Sequence, residues 1–249
     1  MGRDADRGRP IAAVILAAGA SSRYGQPKQL LHYEGRSLLR RAAEATADSC
    51  CRPIVVVLGA SARLCADELR GLPVHLTENT KWMEGMGGSL RTGIAVVSAL
   101  KPEVVGAVVM LCDQPLVSAQ IIEALAQRYR ESGAPIVASA YARTLGVPAL
   151  FDRSLFGQLL SLRGDGGARR IIERSGGDVA AVPFPGGIVD IDTPQDYAVL
   201  EASVASSSQA PSSSSGHSRG KAELAVRGEG RKVRARVTAA RARSWRGGG

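Results

Sequence analysis

The sequence predicts an α/β fold: a mostly parallel sheet covered on both faces by helices. Three observations carry this prediction. Short apolar runs recur along residues 11–200, amphipathic stretches of helical length separate them, and the two alternate in β-α order. At 249 residues the chain is long enough for one sizeable core of this kind and too short for two large domains.

The elements follow in order. Ile11–Leu16 is apolar throughout and runs into a glycine-bearing loop, as a strand buried on both faces does. Ser37 is placed to cap a helix reaching about Ser49, with Leu38, Leu39, Ala42, Ala43 and Ala45 on its apolar side. Ile54–Leu58 reads as a second buried strand, Ala62–Leu69 as a helix and Val74–Leu76 as a short strand. A helix over Gly88–Leu100, the strand Ala107–Leu111, a helix from Ser118 to Glu131 and the strand Pro135–Ser139 come next. Beyond residue 140 the order loosens. Val147–Phe151 reads as a strand, Asp152–Leu162 and Gly167–Arg174 as helices, and Val179–Val182 and Ile188–Ile191 as strands. Pro194 opens a last helix to about Ala202.

Composition then shifts. Ser206–Ser218 is a Ser-rich linker, and Lys221–Gly249 is rich in Arg, Ala and Gly without an apolar face. Residues 204–249 are expected to be a disordered tail. It resembles an arm that touches polyanions, and equally a frameshifted or read-through extension. Ten of the 32 Lys/Arg and three of the 23 Asp/Glu lie in 201–249, so that segment carries +7 of the formal charge of +9. The remainder is almost neutral, which argues against specific nucleic-acid binding by the folded part. Cys50, Cys51, Cys65 and Cys112 form no C-x-x-C pair and are expected to be free thiols in a reducing cytoplasm. Met1–Pro10 is charged rather than apolar, and no run approaches the ~18 residues of a membrane helix. A soluble cytoplasmic protein, with no membrane contact, is expected.

The loop after the first strand, Leu16-Ala17-Ala18-Gly19-Ala20-Ser21-Ser22-Arg23-Tyr24-Gly25-Gln26-Pro27-Lys28, holds the strongest chemical signal. Small residues let successive N–H groups face phosphate oxygens, and Gly19 permits a close approach of backbone to ligand. Arg23 and Lys28 place two cations beside that cradle. The spacing fits neither the Walker A pattern nor G-x-G-x-x-G, and an ordinary βα turn with surface cations is the alternative. Asp113 follows the strand Ala107–Leu111, at the sheet edge where open α/β sheets bind ligands. A carboxylate there suits Mg²⁺, or caps a helix. Asp190 and Asp192 alternate on an expected strand and would face the same side. Asp190 is favoured as a second metal ligand, and Asp192 is either another ligand or a helix cap. Asn79 and Ser89 offer hydrogen bonds to a base or ribose. Trp82 and Met86 flank a base or pterin, or simply pack. Arg169 is positioned to meet an acceptor phosphate at a helix start. His32, His75 and His217 are scattered, so a catalytic histidine is not expected.

The motifs together resemble the MobA-like nucleotidyltransferases. Leu16 to Lys28 is similar to their signature L-A-A-G-x-S-x-R-M-G-x-x-K. Asn79 to Gly93 is similar to their segment near base and ribose, and Leu111-Cys112-Asp113-Gln114-Pro115 to their C-D-x-P metal motif. Gly146 to Phe151 and Gly164 to Arg169 resemble motifs of the molybdenum cofactor cytidylyltransferase branch, and Asp190-Ile191-Asp192-Thr193-Pro194 completes the set. Tyr24 and Val147 depart from the pattern, where Met and often His stand. The resemblance covers roughly residues 11–202. It implies one three-layer Rossmann-like domain over 11–203, of nucleotide-diphospho-sugar transferase type, and Mg²⁺ on Asp113 and Asp190. Arg23, Lys28 and Asp113 would act in catalysis, with Leu16, Ala17, Ala18, Gly19, Asn79 and Ser89 also contacting the nucleotide. The implied reaction moves CMP from CTP to the phosphate of molybdopterin and releases pyrophosphate, with a molybdenum hydroxylase as recipient of the product. Ala18, where the guanylyl branch has Gly, favours CTP over GTP. The alternatives are a guanylyl- or sugar-phosphate nucleotidyltransferase, and a non-catalytic module that delivers cofactor to molybdenum hydroxylases.

Overall fold

The computed structural model of the chain describes residues 8–21, 24–191 and 193–207. The expected tail beyond Ser207 therefore lies outside the described residues. Strand β1 (Ile11–Ala17) sits inside a seven-stranded sheet, between β4 (Ile54–Leu58) and β6 (Gly106–Leu111), parallel to both. Outside β4 runs β5 (His75–Glu78), also parallel. On the other side β8 (Thr144–Asp152) pairs antiparallel with both β6 and β7 (Ile136–Tyr141), and β9 (Val179–Pro183) runs parallel to β7. The spatial order is β5-β4-β1-β6-β8-β7-β9, with β8 alone reversed. The carboxyl ends of the other six strands thus share one edge.

Alternation along β1 explains the three layers. Ile11, Ala13, Ile15 and Ala17 face one core, with Leu39, Ala42 and Ala43 of α1 (Leu38–Ala47), Cys65 of α2 (Ala62–Glu68), and Ile122, Leu125 and Ala126 of α4 (Ala119–Ser132). Ala12, Val14 and Leu16 face the other, with Leu90, Ile94 and Val97 of α3 (Met86–Ala99), Phe156 and Leu159 of α5 (Phe156–Leu160), and Ile171 and Ile172 of α6 (Arg169–Arg174). Helix α3 lies close to the sheet because Gly93 has no Cβ. One built there would overlap Val14 Cγ1 and stand 2.9 Å from Val57 Cγ2. Ser37 caps α1 as expected, its Oγ accepting from the Arg40 N–H at 3.1 Å.

Several expectations are corrected. Residues 188–191 are no strand: Pro185–Ile188 forms a 3₁₀ turn, and Val189–Ile191 pairs with no neighbouring strand. The predicted helix 152–162 is a 3₁₀ turn, Arg153–Leu155, followed by the short α5. An unpredicted two-residue hairpin, β2 (His32–Tyr33) with β3 (Arg36–Ser37), stands beside the sheet. Its Leu31 and Tyr33 pack with Leu38, Ile191 and Leu200 of α7 (Pro194–Ser207) in a small separate cluster. All four cysteines are free. Cys50 is exposed, and its thiol is drawn down to about 6, chiefly by a hydrogen bond from Cys51 and also by nearby Arg130. No helix of the described residues is long and apolar enough to cross a membrane.

Candidate active site

The loop after β1 is braced from below by Gln29, which is almost fully buried. Its Nε2 donates to the carbonyls of Ala17 (3.2 Å) and Gly19 (2.6 Å), and its Oε1 accepts from Ser21 Oγ at 3.2 Å. Ser21 Oγ in turn accepts from the Lys28 N–H at 3.0 Å, while the Ser21 carbonyl accepts from the Tyr24 and Gly25 N–H groups. The Ala18 carbonyl accepts from the Ala60 N–H at 3.2 Å. Carbonyls are thereby drawn toward the protein. Among the described residues the N–H groups of Gly19, Ala20 and Ser21 donate to no protein acceptor. Exposed amides of this kind make an anion cradle.

Sequence reasoning missed Gln29. A polar residue eight positions beyond Ser21, within an otherwise apolar Leu30-Leu31 context, was its only trace. Reasoning also put the conformational demand at Gly19. The left-handed residue is Ser21, at φ 54°, whereas a Cβ on Gly19 would meet nothing within 4 Å. The fold does not require that glycine. Gly19→Ala is expected to keep stability within about 0.5 kcal/mol of wild type while weakening nucleotide binding. Melting and isothermal titration with CTP would separate the two effects, and a lowered melting temperature would mark the glycine as structural.

Lys28 crosses from this loop to Asp113, Nζ to Oδ2 at 2.5 Å, with side chains 19% and 12% exposed. Asp113 Oδ1 is buried and, among the described residues, finds no hydrogen-bond partner. No helix cap employs it: α4 begins after Ser118, so that alternative fails. The Asp113 carbonyl accepts from the Ile191 N–H at 3.1 Å, which seats the segment carrying Asp190 beside it. Asp190 arrives there on an irregular segment rather than by strand alternation, so the same-side argument for Asp190 and Asp192 is withdrawn. Asp192 and Arg23 lie outside the described residues. The Cys112 thiol is pushed up by burial and by the Asp113 charge. Gln114 ties this turn to its neighbours, Nε2 donating to the carbonyls of Val147 (3.2 Å) and Gly187 (3.4 Å).

Asn79 and Ser89 do meet. Asn79 Nδ2 donates to Ser89 Oγ at 3.0 Å, its Oδ1 accepts from the Lys81 N–H, and both residues are buried. They join the end of β5 to the start of α3. Trp82 packs against the α3-side core, whereas Met86 stays exposed with its Sδ against Gly167. Arg169 begins α6, exposed and paired with Glu173 at 2.9 Å.

Comparison with known proteins agrees with this geometry. The family model of the MobA-like NTP transferase domain matches residues 13–179. Nicotine blue oxidoreductase of Paenarthrobacter nicotinovorans is 35% identical over 168 residues, 64% of this chain and 79% of that protein. The crystal structure of the Mycobacterium tuberculosis Rv0371c homologue from Mycobacterium sp. strain JC1 superposes with a TM-score of 0.67 at 33% identity, over 79% of this chain and 97% of that one. Rv0371c of Mycobacterium tuberculosis H37Rv in complex with manganese superposes at 0.63 with 28% identity, over 78% of this chain and 99% of that one. With unpaired amides in the loop after β1 and a lysine-paired aspartate after β6 along one sheet edge, the chain belongs to the MobA-like NTP transferase family and is a nucleotidyltransferase.

Proposed function

We propose that the protein transfers CMP from CTP to the phosphate of molybdopterin, releasing pyrophosphate, with Mg²⁺ as the metal. The observation that carries this reading is the Lys28–Asp113 contact, which joins the phosphate cradle to a carboxylate with one buried, unpartnered oxygen. That oxygen, on a residue whose carbonyl accepts from the N–H of Ile191 next to Asp190, fits a hard divalent cation that takes its remaining oxygens from phosphates and water. Manganese in the related Rv0371c structure supports a divalent ion.

When bound, the cation supplies charge that polarises the phosphates. The chain's own groups do the rest. The Gly19, Ala20 and Ser21 amides hold the triphosphate, and Lys28 turns from Asp113 to the phosphates as charge grows on the leaving pyrophosphate. Arg23, two residues beyond Ser21, adds a second cation. Asn79 and Ser89 fix the β5–α3 junction against which base and ribose rest. The acceptor phosphate attacks in line, its approach set by Arg169, and no covalent enzyme intermediate is required. Ala18 supports CTP through the resemblance to the cytidylyl branch. A molybdenum hydroxylase then receives the dinucleotide cofactor. The catalytic unit is residues 11–203, and the tail is dispensable for turnover.

The test is a pyrophosphate-release assay crossing each of the four NTPs with molybdopterin and sugar phosphates, with Mg²⁺ present. Release is expected with CTP and molybdopterin alone. Equal rates with GTP would remove the base preference, and NAD(P)H consumption without pyrophosphate would favour the activity for which the Paenarthrobacter relative is named.

A further inference from the structure

Beneath the loop after β1 lies a side chain turned away from any ligand. Gln29 is 2% exposed and sits on the 3₁₀ turn Lys28–Leu30 that closes the loop. That turn sends three successive side chains to three places. Lys28 reaches Asp113, Gln29 turns under the loop, and Leu30 packs against the α1-side core. The Gln29 carboxamide is fully engaged: Nε2 donates to the Ala17 and Gly19 carbonyls, and Oε1 accepts from Ser21 Oγ.

These bonds set directions as well as positions. In a trans peptide the C=O and the N–H point opposite ways. Holding the Gly19 carbonyl inward at 2.6 Å therefore turns the N–H of Ala20, an exposed residue, outward. The Ala60 N–H does the same for the Gly19 N–H by holding the Ala18 carbonyl. Ser21 is kept at φ 54°, a left-handed conformation unfavourable for serine. Its hydroxyl proton goes to Gln29 Oε1, and its oxygen takes the Lys28 N–H at 3.0 Å. One carboxamide thus governs both an amide of the cradle and the backbone from which Lys28 reaches Asp113. Among neutral side chains of this length, glutamine supplies two donors and an acceptor together; methionine supplies no donor, and an ionised glutamate would set acceptors against two carbonyls.

We propose that Gln29 is a positioning residue for nucleotide transfer: it holds the loop after β1 in its anion-receiving shape before the nucleotide arrives. The inference rests on the transfer reading above, and within it on the loop as the triphosphate site. Preorganisation of this kind appears as affinity, because the ligand no longer has to order the loop. Without the carboxamide the Ala17 and Gly19 carbonyls lose their donor, and the Ala20 amide can turn inward. Ordering the loop then falls to the ligand. The base rests elsewhere, at the Asn79 side, so a bare triphosphate loses affinity by the same factor as CTP.

Isothermal titration of the full chain with sodium tripolyphosphate and with CTP, each with Mg²⁺, tests this in wild type, Gln29→Met, Gln29→Glu and Ser21→Ala. Methionine keeps the length and removes all three bonds. Ser21→Ala, at a half-buried position, removes the link between Gln29 and the Lys28 N–H, and it decides the matter if the Gln29 variants do not fold. The expected Kd rises about tenfold in both Gln29 variants and about threefold in Ser21→Ala, equally for the two ligands and with one site per folded chain. A purely structural Gln29 would lower the melting temperature and the number of sites while leaving Kd as in wild type. Unchanged Kd for tripolyphosphate in every variant that folds would overturn the proposal, as would a Kd that rises for CTP alone. Wild type that binds neither ligand would instead refute the triphosphate reading of the loop, and this inference with it.

Discussion

Asp113→Asn is expected to lower turnover by about 10²–10³-fold and to abolish the rise in melting temperature expected of the wild type with Mg²⁺ and CTP. The substitution keeps volume and removes charge. In the nucleotide-free protein it deletes the Lys28–Asp113 pair and leaves a lysine side chain only 19% exposed without that counter-ion. A pair this deeply placed costs more to break than a surface one, so stability should fall by about 1–3 kcal/mol. The two effects have separate readouts. Melting without ligand reports the lost pair, and turnover at saturating CTP reports the lost carboxylate at the phosphates. A variant that retains half the wild-type rate would show that Asp113 is structural.

Gly59→Ala should be the most damaging small substitution near the cradle. A Cβ at residue 59 would overlap the Ala18 carbonyl oxygen and lie 2.7 Å from Ala18 Cβ and 2.8 Å from Ala18 Cα. Two of those atoms are backbone, so no rotamer change relieves the clash. Either β4 or the cradle must shift. Overpacking of this kind costs about 1–3 kcal/mol, and in a chain of this size lowers Tm by roughly 2–4 °C per kcal/mol. Because the displaced atoms belong to the loop proposed to hold the triphosphate, the KM for nucleotide should rise as well. Gly19→Ala, next to Ala18 and with its own carbonyl held by Gln29, is expected to affect binding alone. Melting of Gly59→Ala within about 1 °C of wild type would contradict the packing argument.

The predictable part of the fold was the part governed by local periodicity. Ile11–Ala17, Ile54–Leu58 and Gly106–Leu111 are continuous apolar runs because both faces of each strand are buried, and such runs announce themselves. The 188–191 stretch looks the same over four residues, yet pairs with no strand. Its apolar side chains serve a small cluster with Leu31 and Leu38 rather than a ladder, and composition alone cannot tell the two apart. The β2–β3 hairpin is too short to show any alternation.

Lys28 and Asp113 were both legible as candidates, each from its place after a strand. Their 2.5 Å contact was not, because 85 residues of chain separate them and only sheet order makes β1 and β6 neighbours. Gln29 escaped notice for the opposite reason. It is close in sequence to the loop it braces, but its side chain turns inward under Ala17 and Gly19, which no periodicity records.

By itself, then, the sequence determined the α/β class, the central strands and the family to which the chain belongs, and it pointed to the loop after β1 and to Asp113 as candidates, all of which depend on residues within a few positions of one another. Tertiary structure decided the rest: which strand ends are neighbours, that a lysine pairs with the aspartate, and that Asp190 arrives on an irregular segment. Those features arise from long-range pairing and side-chain packing, where residues far apart in the chain meet and local pattern carries no information about the meeting.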